Sequence, residues 1–253
     1  MSSTREWAIW SHVVPVDSPV SALGEFFPGQ PTEVTSSLRP EGETMTDRWG
    51  ALFEAAESTR LTRDDVLSAA ADRSESDDES DDSGASPFDG PGLDPVEVEQ
   101  PNPARVVASP AVLVTDLLVG GEAREALDHV RRHTWVDLVA SDVLLAETQA
   151  LVARLADADL ARTHRDRLRA EARRVEQPAG DHPVLASAYR GRAGHVLAYE
   201  EPLRSAKTAL SLKPRVDVSV RSPDAFSRVF DPESLYEHVE GSTYPGPDRD
   251  PRA

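Results

Sequence analysis

Three acidic side chains near the predicted strands could bind a hard cation: Glu147, Asp181 and Glu200. Glu147 lies on the helix expected after the second strand. Asp181 begins the helix before the third strand, and Glu200 follows that strand. Because sites in open parallel sheets form outside the carboxyl ends of the strands, the three carboxylates are expected near one edge. Carboxylate oxygens suit Mg²⁺ or Mn²⁺, so the sequence predicts a divalent-metal site there.

The elements that would position these acids follow from the hydrophobic pattern of residues 104–240. Short apolar runs predict strands at 105–108, 136–140, 195–198 and 216–220. Helical periods predict helices at 112–132 with a break at Gly120–Gly121, 141–155, 157–175, 182–190, 202–210, 222–226 and 232–239. Strands that alternate with helices are typical of βαβ units, so the pattern predicts an α/β fold with a parallel sheet.

Three motifs occur in order along this region. The first spans residues 106–113 and is followed by Gly120–Gly121. The second, Ser-x-x-Leu-Leu-x-Glu, spans 141–147. The third has two parts, residues 181–188 and residues 196–200. Together they resemble the PIN domain, a family of metal-dependent ribonucleases, over about residues 104–210. The resemblance implies a three-layer α/β/α sandwich with a central parallel sheet. It also implies an endoribonuclease that uses Mg²⁺ or Mn²⁺, with Glu147 and Asp181 as catalytic acids and Glu200 as a further metal ligand.

The first motif departs from the family pattern at its most important position. Ser109 stands where the family has its first Asp, and a neutral hydroxyl is a poor ligand for Mg²⁺. Ala111 and Ala198 replace polar residues, and Glu200 replaces the last Asp. Another register would end the first strand near residue 114 and make Asp116 the first acid. We prefer the first register, because Pro110 and the Gly pair then match the family.

Each candidate also has a purely structural interpretation. Glu147 could be a solvated edge residue, Asp181 a helix cap, and Glu200 part of a solvated pair with Glu201. A cluster of arginines could bind phosphates. We favour the alternative, in which these arginines lie on an exposed helix and form ion pairs with nearby acids. That cluster comprises Arg162, Arg165, Arg167, Arg169, Arg173 and Arg174.

Composition narrows the setting in which the protein works. The net charge is −18, and 25 of the 27 basic residues are Arg. This balance resembles that of proteins from salt-in halophilic archaea, and it argues against broad electrostatic binding to nucleic acid at low salt. There is no cysteine, so thiolate metal sites are excluded. The chain shows no apolar run long enough to span a membrane and no signal-peptide pattern, so we expect a cytoplasmic protein.

Composition also predicts the order of segments along the chain. Residues 1–44 are irregular and broken by prolines, and a native start at Met45 is one interpretation. Residues 45–73 form a short helical segment, with an apolar stripe on the first helix and a capping box at Thr62 and Asp65. An acidic, disordered linker is expected at 74–103, the α/β domain at 104–240, and a disordered tail at 241–253.

Two functions remain open from the sequence. The first is a metal-dependent endoribonuclease, in which the metal activates water for attack on a phosphodiester. The second is a module on the same fold that has lost catalysis and binds RNA or a protein partner. The serine at position 109 favours weakened or lost catalysis. A homodimer is also left open.

Overall fold

A parallel sheet with helices on its faces forms the centre of the protein. The structure is a computed structural model that describes residues 48–78, 100–178, 181–204 and 218–253. Within these residues five strands pair in parallel, in the order β3-β2-β1-β4-β5. They are β1 Asn102–Ala108, β2 Asp137–Ser141, β3 Arg173–Val175, β4 Ala193–Leu197 and β5 Ser219–Arg221. The predicted α/β class with a central parallel sheet flanked by helices is confirmed.

The strand order places a topological switch point between β1 and β4. From β1 the chain proceeds outward to β2 and β3, and it then returns to the other side of β1 for β4 and β5. Connections from β1 and from β4 therefore leave in opposite directions, which opens a crevice outside their carboxyl ends. Residues that directly follow these two strands border this crevice.

The helices begin where the sequence supplies caps or prolines. Ser109 and Ser141 cap the helices after β1 and β2, and Asp157 caps the helix before β3. The predicted break at Gly120–Gly121 is confirmed, because both glycines adopt positive φ. The helices are α1 Trp49–Ala56, α2 Arg63–Asp78, α3 Pro110–Leu118, α4 Gly121–Arg131, α5 Asp142–Leu155, α6 Ala158–Glu171, α7 Pro183–Gly191, α8 Glu201–Arg204, α9 Pro223–Val229 and α10 Pro232–Glu240.

Helices α1 and α2 pack onto the α/β domain, as expected for helices too short to form a core alone. The predicted stripe of α1 is buried: Trp49, Leu52, Phe53 and Ala56. The capping box is also present, since Asp65 Oδ2 accepts from the Thr62 amide at 2.8 Å and the Asp65 amide donates to Thr62 Oγ1 at 3.3 Å. Helix α1 contacts α3 and α6, while α2 contacts α3 and α5.

Several predicted boundaries need correction. The helix expected over 157–175 ends at Glu171, and the next residues form the edge strand β3. Helix α2 continues to Asp78, so its backbone enters the predicted acidic linker. Ser222 precedes α9 without capping it, because its hydroxyl donates to Asp224 Oδ1 at 2.5 Å. The predictions for residues 1–44 and for the linker between 79 and 99 lie outside the described residues. So do residues 205–210 of the predicted helix over 202–210 and residues 216–217 of the predicted strand over 216–220.

The C-terminal tail is bound along the domain, so the prediction of a disordered tail is wrong. Tyr244 Oη lies 2.7 Å from His133 Nε2, and Asp248 Oδ1 accepts from the Thr134 amide at 2.9 Å. Arg252 donates to both carboxylate oxygens of Asp128 at 3.1 and 2.8 Å. None of the described helices is long and apolar enough to cross a bilayer.

Candidate functional site at the switch point of the sheet

Ser109 lies at the end of β1 and is fully buried. Its amide donates to the Leu197 carbonyl at 2.9 Å, which links it to the end of β4. Its Oγ accepts from the Val112 amide at 3.5 Å and lies 3.0 Å from both carboxylate oxygens of Glu200, to which it donates. The switch point thus brings together the residues that follow β1 and β4.

Glu200 is half-buried and contributes two groups at this edge. Its carboxylate faces Ser109, and its backbone carbonyl accepts from the Arg204 amide in α8 at 3.3 Å. Its neighbour Glu201 is exposed and pairs with Arg204 at 2.7 Å. The two glutamates therefore differ in role, and the solvated-pair interpretation fits only Glu201.

Asp181 and Glu147 belong to the side of the sheet formed by β2 and β3. Asp181 precedes α7 and is half-buried; its carbonyl accepts from Gln177 Nε2 at 2.8 Å. Gln177 Oε1 in turn accepts from Ser141 Oγ at the end of β2, at 2.7 Å. His182, not Asp181, occupies the N-cap position of α7. Glu147 is half-buried in the second turn of α5.

The predicted metal cluster is not assembled by the residues that the structure describes. Among them, no group of three or more His, Asp or Glu side chains could hold a metal ion. Ser109 supplies only a neutral hydroxyl, and the Glu200 carboxylate accepts a hydrogen bond from it. The described donor set therefore does not fit a resident Mg²⁺ or Mn²⁺, which needs several converging oxygen ligands.

Asp116, the alternative first acid, is engaged elsewhere. Strand β1 ends at Ala108, so Asp116 lies in α3, where it is fully buried. Arg131 Nη1 donates to its Oδ1 at 3.1 Å, and Arg131 Nη2 forms an ion pair with Oδ2. The second register is therefore wrong, because both carboxylate oxygens of Asp116 are held in a buried ion pair.

Two residues that the sequence did not indicate also contribute to the crevice: Tyr199 and Arg63. Tyr199 immediately precedes Glu200, and its buried hydroxyl has no hydrogen-bond partner within the described ranges. Burial raises the pKa of Tyr199, and the nearby Glu122 adds to this effect. The Arg63 guanidinium lies 5.7 Å from the Tyr199 ring centre and binds Glu122 Oε1 at 2.5 Å. Helix α2 thereby brings a cation to the edge of the sheet.

The arginine cluster of α6 and β3 is paired rather than free. Arg162, Arg167, Arg169, Arg173 and Arg174 each lie within ion-pair distance of an acid on the same or a neighbouring element. Arg165 donates to Gln149 at 2.8 Å. The structural interpretation of this cluster, favoured from the sequence, agrees with these contacts.

The fold and site together define an α/β domain with a serine–glutamate pair at the switch point of a five-stranded parallel sheet. The chain belongs to DUF7384, a family of unknown function, whose model matches residues 100–252. No curated protein and no solved structure matches the chain significantly. The matched region includes the bound C-terminal tail and leaves out α1 and α2.

Proposed function

We propose that this protein is a PIN-like domain protein in which metal-dependent nuclease activity is weakened or lost, and that it acts as a binding module. The observation that carries the proposal is the contact between Ser109 Oγ and both carboxylate oxygens of Glu200 at 3.0 Å. The motif position at which the family uses an acid holds a neutral donor here. That donor satisfies the one carboxylate directly beside it.

The architecture supports the PIN-like part of the proposal. Ser109 of the first motif and Glu200 of the third come after adjacent parallel strands, as a shared site requires. The second motif begins at Ser141, after the strand on the other side of β1. This arrangement brings all three motifs to the carboxyl edge of the sheet, where sites form in such folds.

A protein partner is favoured over RNA as the bound molecule. RNA binding relies largely on Lys and Arg that neutralise phosphates. The six arginines of α6 and β3 already have acidic or amide partners, and the chain carries a net charge of −18. A cytoplasmic location belongs to the same proposal, and the absence of cysteine from the chain supports it.

Residual endoribonuclease activity is the second candidate. It is favoured by Glu147 and Asp181, two half-buried acids on elements that begin near the carboxyl edge of the sheet. A working metal site would require these acids to converge with Glu200. The Ser109 contact opposes this, since it already engages the Glu200 carboxylate.

A cleavage and binding experiment separates the two candidates. Single-stranded RNA is incubated with Mn²⁺ in molar KCl, and Mn²⁺ binding is measured by calorimetry. We expect the wild type neither to cleave RNA nor to bind millimolar Mn²⁺, and we expect Ser109→Asp to gain Mn²⁺ binding. The gain should disappear in Ser109→Asp combined with Glu200→Gln, whereas the exposed neighbour change Glu201→Gln should preserve it. Metal-dependent cleavage by the wild type that Asp181→Asn abolishes would overturn the proposal in favour of the nuclease.

A further inference from the structure

A cavity of about 310 Å³ lies between the sheet and the helices α9 and α10. Its volume lies within the range typical of small-molecule sites. It is bordered by Pro103 near the start of β1, six residues before Ser109, which corresponds to about 20 Å along a strand. The cavity is therefore distinct from the crevice at the switch point. Its apolar walls are Pro103, Phe226, Val229, Phe230 and Leu235.

Aromatic rings form the inner part of this cavity. The rings of Phe226 and Phe230 are 5.3 Å apart between centres and tilted by 42°. The His195 ring meets Phe226 edge to face at 5.5 Å. A further aromatic ring can pack against these rings in the same tilted or edge-to-face geometry. The walls therefore favour a planar aromatic ligand over an aliphatic one.

His195 supplies an unused polar group to the cavity. Its Nδ1 is out of reach of solvent and has no hydrogen-bond partner among the described residues, which leaves Nε2 as the ring nitrogen that a ligand could meet. Burial lowers the pKa of His195, and the nearby Arg221 lowers it further, so the ring is neutral at neutral pH. A neutral imidazole carries one lone pair that can accept a hydrogen bond. A ligand that brings its own N–H would satisfy it.

The remaining polar groups restrict the charge of the ligand. Asp231 lines the cavity, and its Oδ1 already accepts from the amides of Glu233 and Ser234 at 3.2 and 3.3 Å. A carboxylate at the rim of a chain with net charge −18 opposes an anion. His238 also lines the cavity, and the charge of Arg221 acts on His195, so a cation is not favoured either. The cavity therefore suits a neutral molecule.

Helix α10 forms one wall of the cavity. None of its nine residues is buried, although it lies against β1. Its exposed residues Ser234 and His238 line the cavity, so a ligand can enter beside this helix.

We propose that this cavity is a binding site for a small, neutral, planar heteroaromatic molecule of about two fused rings. Its ring N–H donates to His195 Nε2 while its ring system packs against the partly exposed side chains of Phe230 and Leu235. The assignment is independent of the function proposed for the switch point, since no residue is shared between the two.

Indole and benzofuran form a matched pair of probes, because they share size and shape and only indole has an N–H. Binding to the full chain is measured by calorimetry or by ligand-observed NMR at 1 M KCl. We expect saturable binding of indole, about tenfold tighter than that of benzofuran, as a single hydrogen bond would give. His195→Phe should remove this preference. Thermal melting by circular dichroism verifies that each variant is folded.

A second variant tests the location without changing the core. Ser234 is an exposed cavity residue on α10, so Ser234→Trp should fill the entrance and abolish indole binding in a folded protein. Glu237→Trp, on the same helix but outside the cavity lining, should bind as the wild type does. Equal binding of the two probes, unchanged binding by Ser234→Trp, or no saturable binding of indole by the wild type would overturn the proposal.

Discussion

Ser109 makes three structural contacts at the switch point. Its amide ties β1 to β4, its hydroxyl caps α3, and the same hydroxyl donates to Glu200. An aspartate at this position could still cap α3, but it would repel Glu200 unless a cation lay between them. Ser109 therefore caps α3 beside Glu200 without the charge repulsion that an aspartate would cause.

His164 is a second residue whose surroundings have a measurable consequence. It is fully buried, its edge faces the Trp49 ring at 5.8 Å, and neither ring nitrogen has a hydrogen-bond partner among the described residues. Burial, helped by the nearby Arg131, lowers the pKa of His164 from 6.5 to about 3. The folded protein therefore keeps this imidazole neutral across the pH range in which an unfolded chain would protonate it.

Acidification should destabilise the protein through His164. Below pH 6.5 the His164 imidazole binds a proton in the unfolded state, whereas in the folded state it binds one only below about pH 3. Above pH 6.5, His164 therefore does not reduce the free energy of unfolding. As the pH falls below 6.5, this free energy decreases by up to about 1.4 kcal/mol per pH unit. Urea denaturation between pH 7 and pH 4 measures this slope. His164→Leu should reduce it by that amount relative to the wild type.

An exposed histidine provides the control for this slope. His238 lies on the surface of α10, so His238→Gln should leave the pH dependence of the wild type unchanged. An identical slope in the wild type and His164→Leu would show that the buried imidazole is not the group responsible.

At the scale of elements, local signals predicted the structure well where capping and burial agree. The helix predicted over 141–155 is α5, which Ser141 caps, and its inward face is buried: Leu144, Leu145, Thr148, Leu151 and Val152. The residues of the switch point were also indicated, because Ser109 and Glu200 come just after the apolar runs that predicted β1 and β4. The partner of Asp116 was not predictable, since Arg131 is 15 positions away on another helix.

Strand β3 and the tail were missed for different physical reasons. Arg173 and Arg174 are exposed on a three-residue edge strand, so no apolar run marks this strand. In the sequence, the charged pattern of the preceding helix runs on through it. The tail is rich in Pro, Gly and Asp, a composition typical of disorder. Its order comes from specific partners far away in sequence, such as Asp128 and His133.

The tail should therefore contribute to stability through Arg252. This residue makes a two-pronged ion pair with Asp128, and its guanidinium lies 4.9 Å from the centre of the Phe53 ring. We expect Arg252→Ala to lower the free energy of unfolding by about 1–3 kcal/mol in urea denaturation. Arg249→Ala removes an exposed arginine of the same tail and should cost less than about 0.5 kcal/mol. Equal effects of the two changes would mean that the tail contact is not stabilising.

At the scale of the whole molecule, the excess of acids dominates. A net charge of −18 repels itself over a Debye length of about 10 Å at 0.1 M salt, and over only about 3 Å at 1 M. Across the whole chain, 45 Asp and Glu are offset by only 27 Lys and Arg, so a net repulsion among acids remains. Salt should therefore act as a general stabiliser.

The melting temperature should rise as KCl increases from 0.1 to 2 M. Screening reduces the repulsion among acids in the folded state more than in the expanded unfolded chain. Circular dichroism across a KCl series measures the change, and a parallel series in sucrose separates charge screening from preferential exclusion. A melting temperature that stays constant or falls with KCl contradicts the halophilic interpretation.

The meeting of α1 with the C-terminal tail also bears on the order of events in folding. The amides of Trp49 and Gly50 donate to the carbonyls of Ala253 and Arg252, at 3.5 and 3.0 Å, so the two ends of the described chain close a ring. Contacts between such distant positions carry a large loop-closure entropy, so we expect them to form late in folding, after the strands of the described sheet have paired.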